Sequence, residues 1–123
     1  MKQEEKRTLI IGASDNKARY SYLAAHRLLS HNIPVVCIGL RPGQVGSVPI
    51  QTGFPELDKI DTVTLYIGPR HQPQFYDYLL ALKPNRVIFN PGTENDELAG
   101  LLQAKGIHTL EACTLVMLST GMY

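Results

Sequence analysis

The chain has 123 residues, 44% of them hydrophobic and 19% charged, with a net charge of +1. That length favours one domain around one core, and the charge balance excludes the global basic field that recruits nucleic acid or a membrane surface. No apolar run approaches the roughly 20 residues of a membrane span, and the charged start over residues 1–7 lacks the apolar stretch of a secretory signal, so a cytoplasmic protein with a frayed beginning is expected.

Thr8-Leu9-Ile10-Ile11 is an apolar run that breaks at Gly12 and is followed by small polar residues, Ala13-Ser14-Asp15-Asn16. This is the pattern of a strand, a tight turn and a helix start. Amides at a helix start have no intrahelical partner and the dipole there favours negative charge, so the turn is a candidate anion site. Tyr20, Leu23, Ala24, Arg27 and Leu28 repeat at helical spacing and predict a helix over residues 17–30. Residues 34–39, Pro-Val-Val-Cys-Ile-Gly, form a second strand whose lack of alternation implies burial on both faces. Residues 41–58 are punctuated by glycine and proline, with room for a short edge strand or hairpin near 45–50. A third strand covers 62–67, a helix starts near Pro73, a fourth strand covers 86–89, and Asn95 or Asp96 caps a helix that Gly106 stops. A fifth strand covers 107–110, and 113–118 predicts a last helical turn.

Strands that alternate with helices imply an α/β fold of three layers, with a mainly parallel sheet and right-handed crossovers. The expected architecture is a Rossmann-like single domain over 1–123 with five strands in the spatial order second, first, third, fourth, fifth. Any short strand at 45–50 would lie at the edge beside the second. The chain then winds both ways from the gap between the first and third strands, where such sheets bind ligands beyond the carboxyl ends. Loops 12–19, 39–42 and 68–72 converge there and carry Lys17, Arg19, Arg41, Arg70 and His71. Five potential cations on one rim suit a ligand with several phosphates.

The usual dinucleotide fingerprint is incomplete, because Ser14 and Lys17 stand where its later glycines would be. The phosphate-loop lysine pattern of nucleotidases is missing as well. At the end of the second strand, Gly39-Leu40-Arg41 replaces the carboxylate that holds the ribose of NAD. An arginine there attracts a phosphorylated ribose, which favours NADP or coenzyme A. The residues contain no nucleophile with an identifiable base partner. Neither Cys37 nor Cys113 belongs to a pair at metal-ligand spacing, so no zinc site and no disulfide are expected.

Gly12-Ala13-Ser14-Asp15-Asn16, Arg19 with Ser21, the pair Pro69-Arg70, Asn90-Pro91-Gly92-Thr93, and Ala104 with Gly106 ahead of Cys113 together resemble the small stand-alone CoA-binding proteins. These are Rossmann-like domains similar to the amino-terminal domain of the succinyl-CoA synthetase α-subunit, and the resemblance spans roughly residues 8–115. It implies that coenzyme A lies across the strand edge. Ala13, Ser14, Asn16, Arg19 and Ser21 would engage the phosphates, while the turn and the basic rim add Gly12 and Lys17 as ligand-binding residues, and Arg41 would sit near the adenosine end. Arg70 would sit near the pyrophosphate, with His71 beside it on the basic rim, and Asn90, Pro91, Gly92 and Thr93 would border the pantetheine arm. Two departures stand out: Gly39-Leu40 replaces the family's common Asn-Pro, and Asn90-Pro91-Gly92 replaces its frequent Gln-x-Gly. The resemblance implies a carrier, sensor or accessory module without catalysis of its own, with a homodimer or a protein partner left open. An NADP-dependent oxidoreductase, or its detached cofactor domain, is the alternative.

Overall fold

The computed structural model describes residues 6–123. Seven strands form one sheet: β1 (Thr8–Ile11), β2 (Val35–Ile38), β3 (Gly43–Val45), β4 (Val48–Gln51), β5 (Thr62–Leu65), β6 (Arg86–Phe89) and β7 (His108–Glu111). Their spatial order is β3-β4-β2-β1-β5-β6-β7. The order expected for five strands is retained inside this sheet, and the correction is in the count. The punctuated stretch after β2 makes two strands, because the backbone turns at Gly46 and pairs Val45 with Val48. Within that hairpin β3 runs antiparallel to β4, and β4 then adds parallel to β2, with Cys37 opposite Ile50.

Among the described residues the α-helices are α1 (Tyr20–Ser30), α2 (Tyr76–Leu82), α3 (Asp96–Ala104) and α4 (Thr114–Thr120). Helix α1 buries Ser21, Ala24, Ala25 and Leu28, a stripe at helical spacing. It ends when Asn32 enters the left-handed region at φ 59. The Asn32 and Ile33 amides then return to the Leu29 and Leu28 carbonyls, which closes the last turn. Helix α3 is capped as expected, with the Asn95 side chain accepting from the Leu98 amide at 3.2 Å.

Alternate residues of each strand feed two cores. One holds Leu9, Ile11, Ile38, Val63, Leu65 and Phe89 against Leu79 of α2 and Leu98 and Leu102 of α3. The other holds Ile10, Cys37 and Ile88 against Ala25 and Leu28 of α1 and Leu118 of α4. Both faces of the sheet are therefore covered, which is why its strands read as unbroken apolar runs.

Three local expectations are corrected. Helix α1 starts at Tyr20, three residues after Lys17, because Asn16 holds a turn: its Oδ1 accepts from the Ala18 amide and its carbonyl from the Arg19 amide. Helix α2 starts at Tyr76, after two 3-10 turns at Pro69–His71 and Pro73–Phe75. At the beginning of the chain, the Lys6 ammonium donates to the Tyr123 carbonyl at 2.7 Å and Arg7 pairs with Asp58, so these two residues are tied down; residues 1–5 lie outside the described part. Among the described residues no helix is long and apolar enough to cross a membrane.

Candidate functional site

The chain reverses its winding between β1 and β5. A two-lobed cleft opens there, beyond the carboxyl ends of β1, β2 and β5. Its polar lobe has a volume of 540 Å³ and is walled by residues 12–16, Arg19, residues 40–42, Tyr66 and Ile67. Its apolar lobe has a volume of 380 Å³ and is lined by Ile11, Ile38, Thr52, Phe54, His71, Gln74 and Phe75, among others. Gly12, Arg19, Leu40, Tyr66 and Ile67 border both lobes, so the two are continuous.

Two glycines make the floor. Gly12 has φ +96, and a Cβ on it would come within 2.8 Å of Ile67 Cγ2 and 2.9 Å of the Tyr66 carbonyl carbon. Gly39 faces the Ala13 carbonyl oxygen so closely that a Cβ would overlap it, with Ile50 Cγ2 a further 2.9 Å contact. Strand β2 and the first loop therefore touch backbone to backbone. The Ile38 carbonyl fastens them by accepting from both the Gly12 and the Ala13 amides at 2.9 Å.

Those two amides are consequently spent inside the fold. Further along, the Asn16 amide donates to Ser14 Oγ at 3.0 Å. The amides of Ser14, Asp15 and Lys17, and those of Tyr20 and Ser21 at the start of α1, meet no protein acceptor among the described residues. Open amides and a helix start thus adjoin the polar lobe, an environment that attracts anions. Arg19 and Arg41 border the same lobe with no ion pair or side-chain hydrogen bond among the described residues.

Of the residues singled out by sequence, the structure brings Gly12, Ala13, Ser14, Asn16, Arg19 and Arg41 together around the polar lobe and places His71 on the apolar one. It leaves the others outside both lobes. Lys17 is exposed on the turn, and Arg70 is exposed on the first 3-10 turn. Ser21 is buried on the core side of α1. Asn90 is buried and fully engaged: it donates to Thr64 Oγ1 at 2.6 Å and the Leu65 carbonyl at 2.8 Å, and accepts from the Thr114 amide at 2.9 Å. Thr93 is buried too and donates to the Asn90 carbonyl at 2.8 Å. Pro91 and Gly92 are exposed between them. The 90–93 turn therefore works as an internal brace, and fully buried Gln72 joins it to the neighbouring loop by donating to the Ile67 and Thr93 carbonyls.

Sequence reasoning missed Asp15 in the polar lobe and Leu40, Thr52, Phe54, Tyr66, Gln74 and Phe75 around the apolar one. The tilted contact of Phe54 with Phe75, ring centroids 5.1 Å apart, builds an aromatic wall from residues 21 apart in the chain. Tyr66 had a readable signal, since it continues the third strand past its end. Its hydroxyl is buried with no well-aligned partner among the described residues, beside Thr64 and Thr114, which bond each other at 2.8 Å. Burial pushes the phenol up to about 12.

No curated protein matches the chain. Among solved structures, the crystal structure of an uncharacterized protein has a TM-score of 0.95 at 49% identity, over 98% of this chain and 100% of that one. A hypothetical protein from Pyrococcus horikoshii has a TM-score of 0.84 at 20% identity, over 94% and 83% of the two chains. A protein from Thermus thermophilus has a TM-score of 0.83 at 16% identity, over 96% and 91%. The last two show likeness of fold. The family model for the CoA-binding domain matches residues 6–119. With a cleft at the strand reversal, unpaired arginines beside open amides and that match over nearly its whole length, the chain belongs to the CoA-binding domain family.

Proposed function

We propose that the cleft binds coenzyme A or an acyl-CoA and that the protein acts as a single-domain, non-catalytic carrier, sensor or accessory module. The observation that carries this reading is the pairing of Arg19 and Arg41, both without side-chain partners among the described residues, around a lobe bordered by open amides. A polyphosphorylated ligand gains charge-assisted hydrogen bonds from such a site, each contributing about 1.5–3 kcal/mol. The neighbouring apolar lobe, walled by Phe54, Phe75 and Ile38, accepts a less polar part of the same molecule.

The absence of catalysis is inferred from the site's composition. Among the described residues Asp15 is the only carboxylate on either lobe and His71 the only imidazole, and they border different lobes. The hydroxyls in the linings include Ser14 and Thr52, and among the described residues neither hydrogen-bonds a carboxylate or an imidazole; Ser14 Oγ accepts from the Asn16 amide, so no nucleophile–base pair is assembled there.

Native mass spectrometry of freshly purified protein, followed by a thermal-shift panel of CoA, acetyl-CoA, dephospho-CoA, NADP, NAD and ATP, tests the reading. CoA at a hundredfold excess over its dissociation constant stabilises the fold by about 2.7 kcal/mol. Stabilisation by NADP with none by CoA overturns the proposal in favour of an oxidoreductase cofactor site.

A further inference from the structure

One charged group in the polar lobe has no part in that reading. Asp15 is exposed and borders the lobe together with Arg19 and Arg41, yet among the described residues it makes no ion pair and its carboxylate no hydrogen bond. A carboxylate in a cleft that attracts polyanions repels them unless it faces a hydroxyl group. Its position is specific. A Cβ built on Gly43 would lie 2.7 Å from Asp15 Oδ2 and 3.2 Å from its Cγ, so the carboxyl group rests on bare backbone at the start of β3, two residues beyond Arg41. Rossmann-type sites for an unphosphorylated ribose take a carboxylate from the end of the second strand. Here that strand end carries Leu40-Arg41, and the carboxylate reaches the same corner from the first loop.

We propose that Asp15 accepts a hydrogen bond from the free 2′-hydroxyl of an adenosine whose 3′-phosphate faces Arg41, and that it thereby rejects a 2′-phosphate. This rests on the reading of the cleft as a CoA site and makes it selective between two ribose phosphate isomers. The arginine attracts either isomer. The carboxylate separates them, because it meets a donor in one and a dianion in the other. Gly43 belongs to the device, since a Cβ there would meet Asp15 Oδ2 at 2.7 Å and the carboxyl group would have to shift.

Calorimetric titration with adenosine 3′,5′-bisphosphate, adenosine 2′,5′-bisphosphate and CoA tests the assignment. The unaltered protein prefers the 3′,5′ isomer by about tenfold, the effect of one carboxylate facing a dianion across a few ångströms of partly hydrated space. Asp15→Asn brings the two isomers to within about threefold, chiefly by admitting the 2′,5′ isomer. Gly43→Ala leaves the charge count unchanged and produces the same levelling, with an unaltered unfolding midpoint. Equal binding of the isomers by the unaltered protein, or an undiminished preference in both variants, overturns the role of Asp15 while CoA still binds. Failure of CoA and both bisphosphates to bind overturns the reading of the cleft itself.

Discussion

At the amino ends of the strands, Arg86 donates to the Tyr123 carbonyl at 2.7 Å and to Thr62 Oγ1 at 2.8 Å, and its guanidinium stacks 4.5 Å from the Tyr123 ring centroid. Lys6 donates to the same carbonyl, and the Tyr123 hydroxyl pairs with Thr8. At the carboxyl ends, Arg19 and Arg41 meet neither an acceptor nor an acid among the described residues. Residues of the same kind thus do opposite work at the two ends of one sheet. Cations bound to carbonyls and rings at one end hold the fold shut. Cations without a partner among the described residues, beside open amides at the other end, are the groups our proposal assigns to an anionic ligand.

Gly39→Val should blur this contrast most, because its added Cβ strikes the Ala13 carbonyl, a backbone atom that cannot turn aside. A loss of about 3 kcal/mol or more in urea unfolding is expected, together with the loss of CoA binding. The interior between the two ends answers to pH. Burial raises the Cys37 thiol from 9.0 to about 11 and the Tyr66 phenol from 10.0 to about 12. The native chain therefore keeps protons that the unfolded chain has already released. Stability is full below pH 9 and is lost as the pH rises from 9 to 11 for the thiol and from 10 to 12 for the phenol, by about 3 kcal/mol for each group. Cys37→Ala should flatten the first part of that slope in pH-dependent denaturation, whatever it costs in packing.

Arg86→Ala sharpens the comparison from the paired end. It should cost about 1.5–3 kcal/mol of stability with CoA affinity unchanged in calorimetry. Arg41→Ala is its mirror image: an unchanged unfolding midpoint, and an approximately tenfold loss that removes the preference of CoA over dephospho-CoA. Arg70→Ala should have the smallest effect, under about threefold, since this exposed arginine lies outside both lobes and acts through screened space. A larger loss in titration would bring the loop of Arg70 into the site.

The two ends were not equally legible before folding. Runs such as Leu9–Ile11 and Val87–Phe89 declare buried strands by composition, and Asn95 declares a helix start by its place before an apolar repeat. The polar wall of the cleft was readable for the same reason: Gly12 through Asn16 and Arg19 lie close together in the chain, and the glycine marks the turn they must make. The apolar lobe was not, because Thr52, Phe54 and Phe75 meet only after the 43–51 hairpin has folded alongside β2. Nor did Asn90 announce its use, since a buried asparagine bracing three elements and one bordering a ligand look alike in sequence. Asp15 was hidden by its partner, a glycine 28 residues away that matters for the side chain it lacks.

The hairpin has a second consequence. Without it, Cys37 and Ile38 of β2 would present bare backbone donors and acceptors to any passing chain, in the most apolar part of the sheet. The added strands move that border outward to a three-residue strand carrying Gly43 and Gln44, and put Pro49, which has no amide to offer, in the row behind it. An outer row so short recruits foreign strands poorly, so the hairpin beside the cleft also guards the molecule against fibrous self-association.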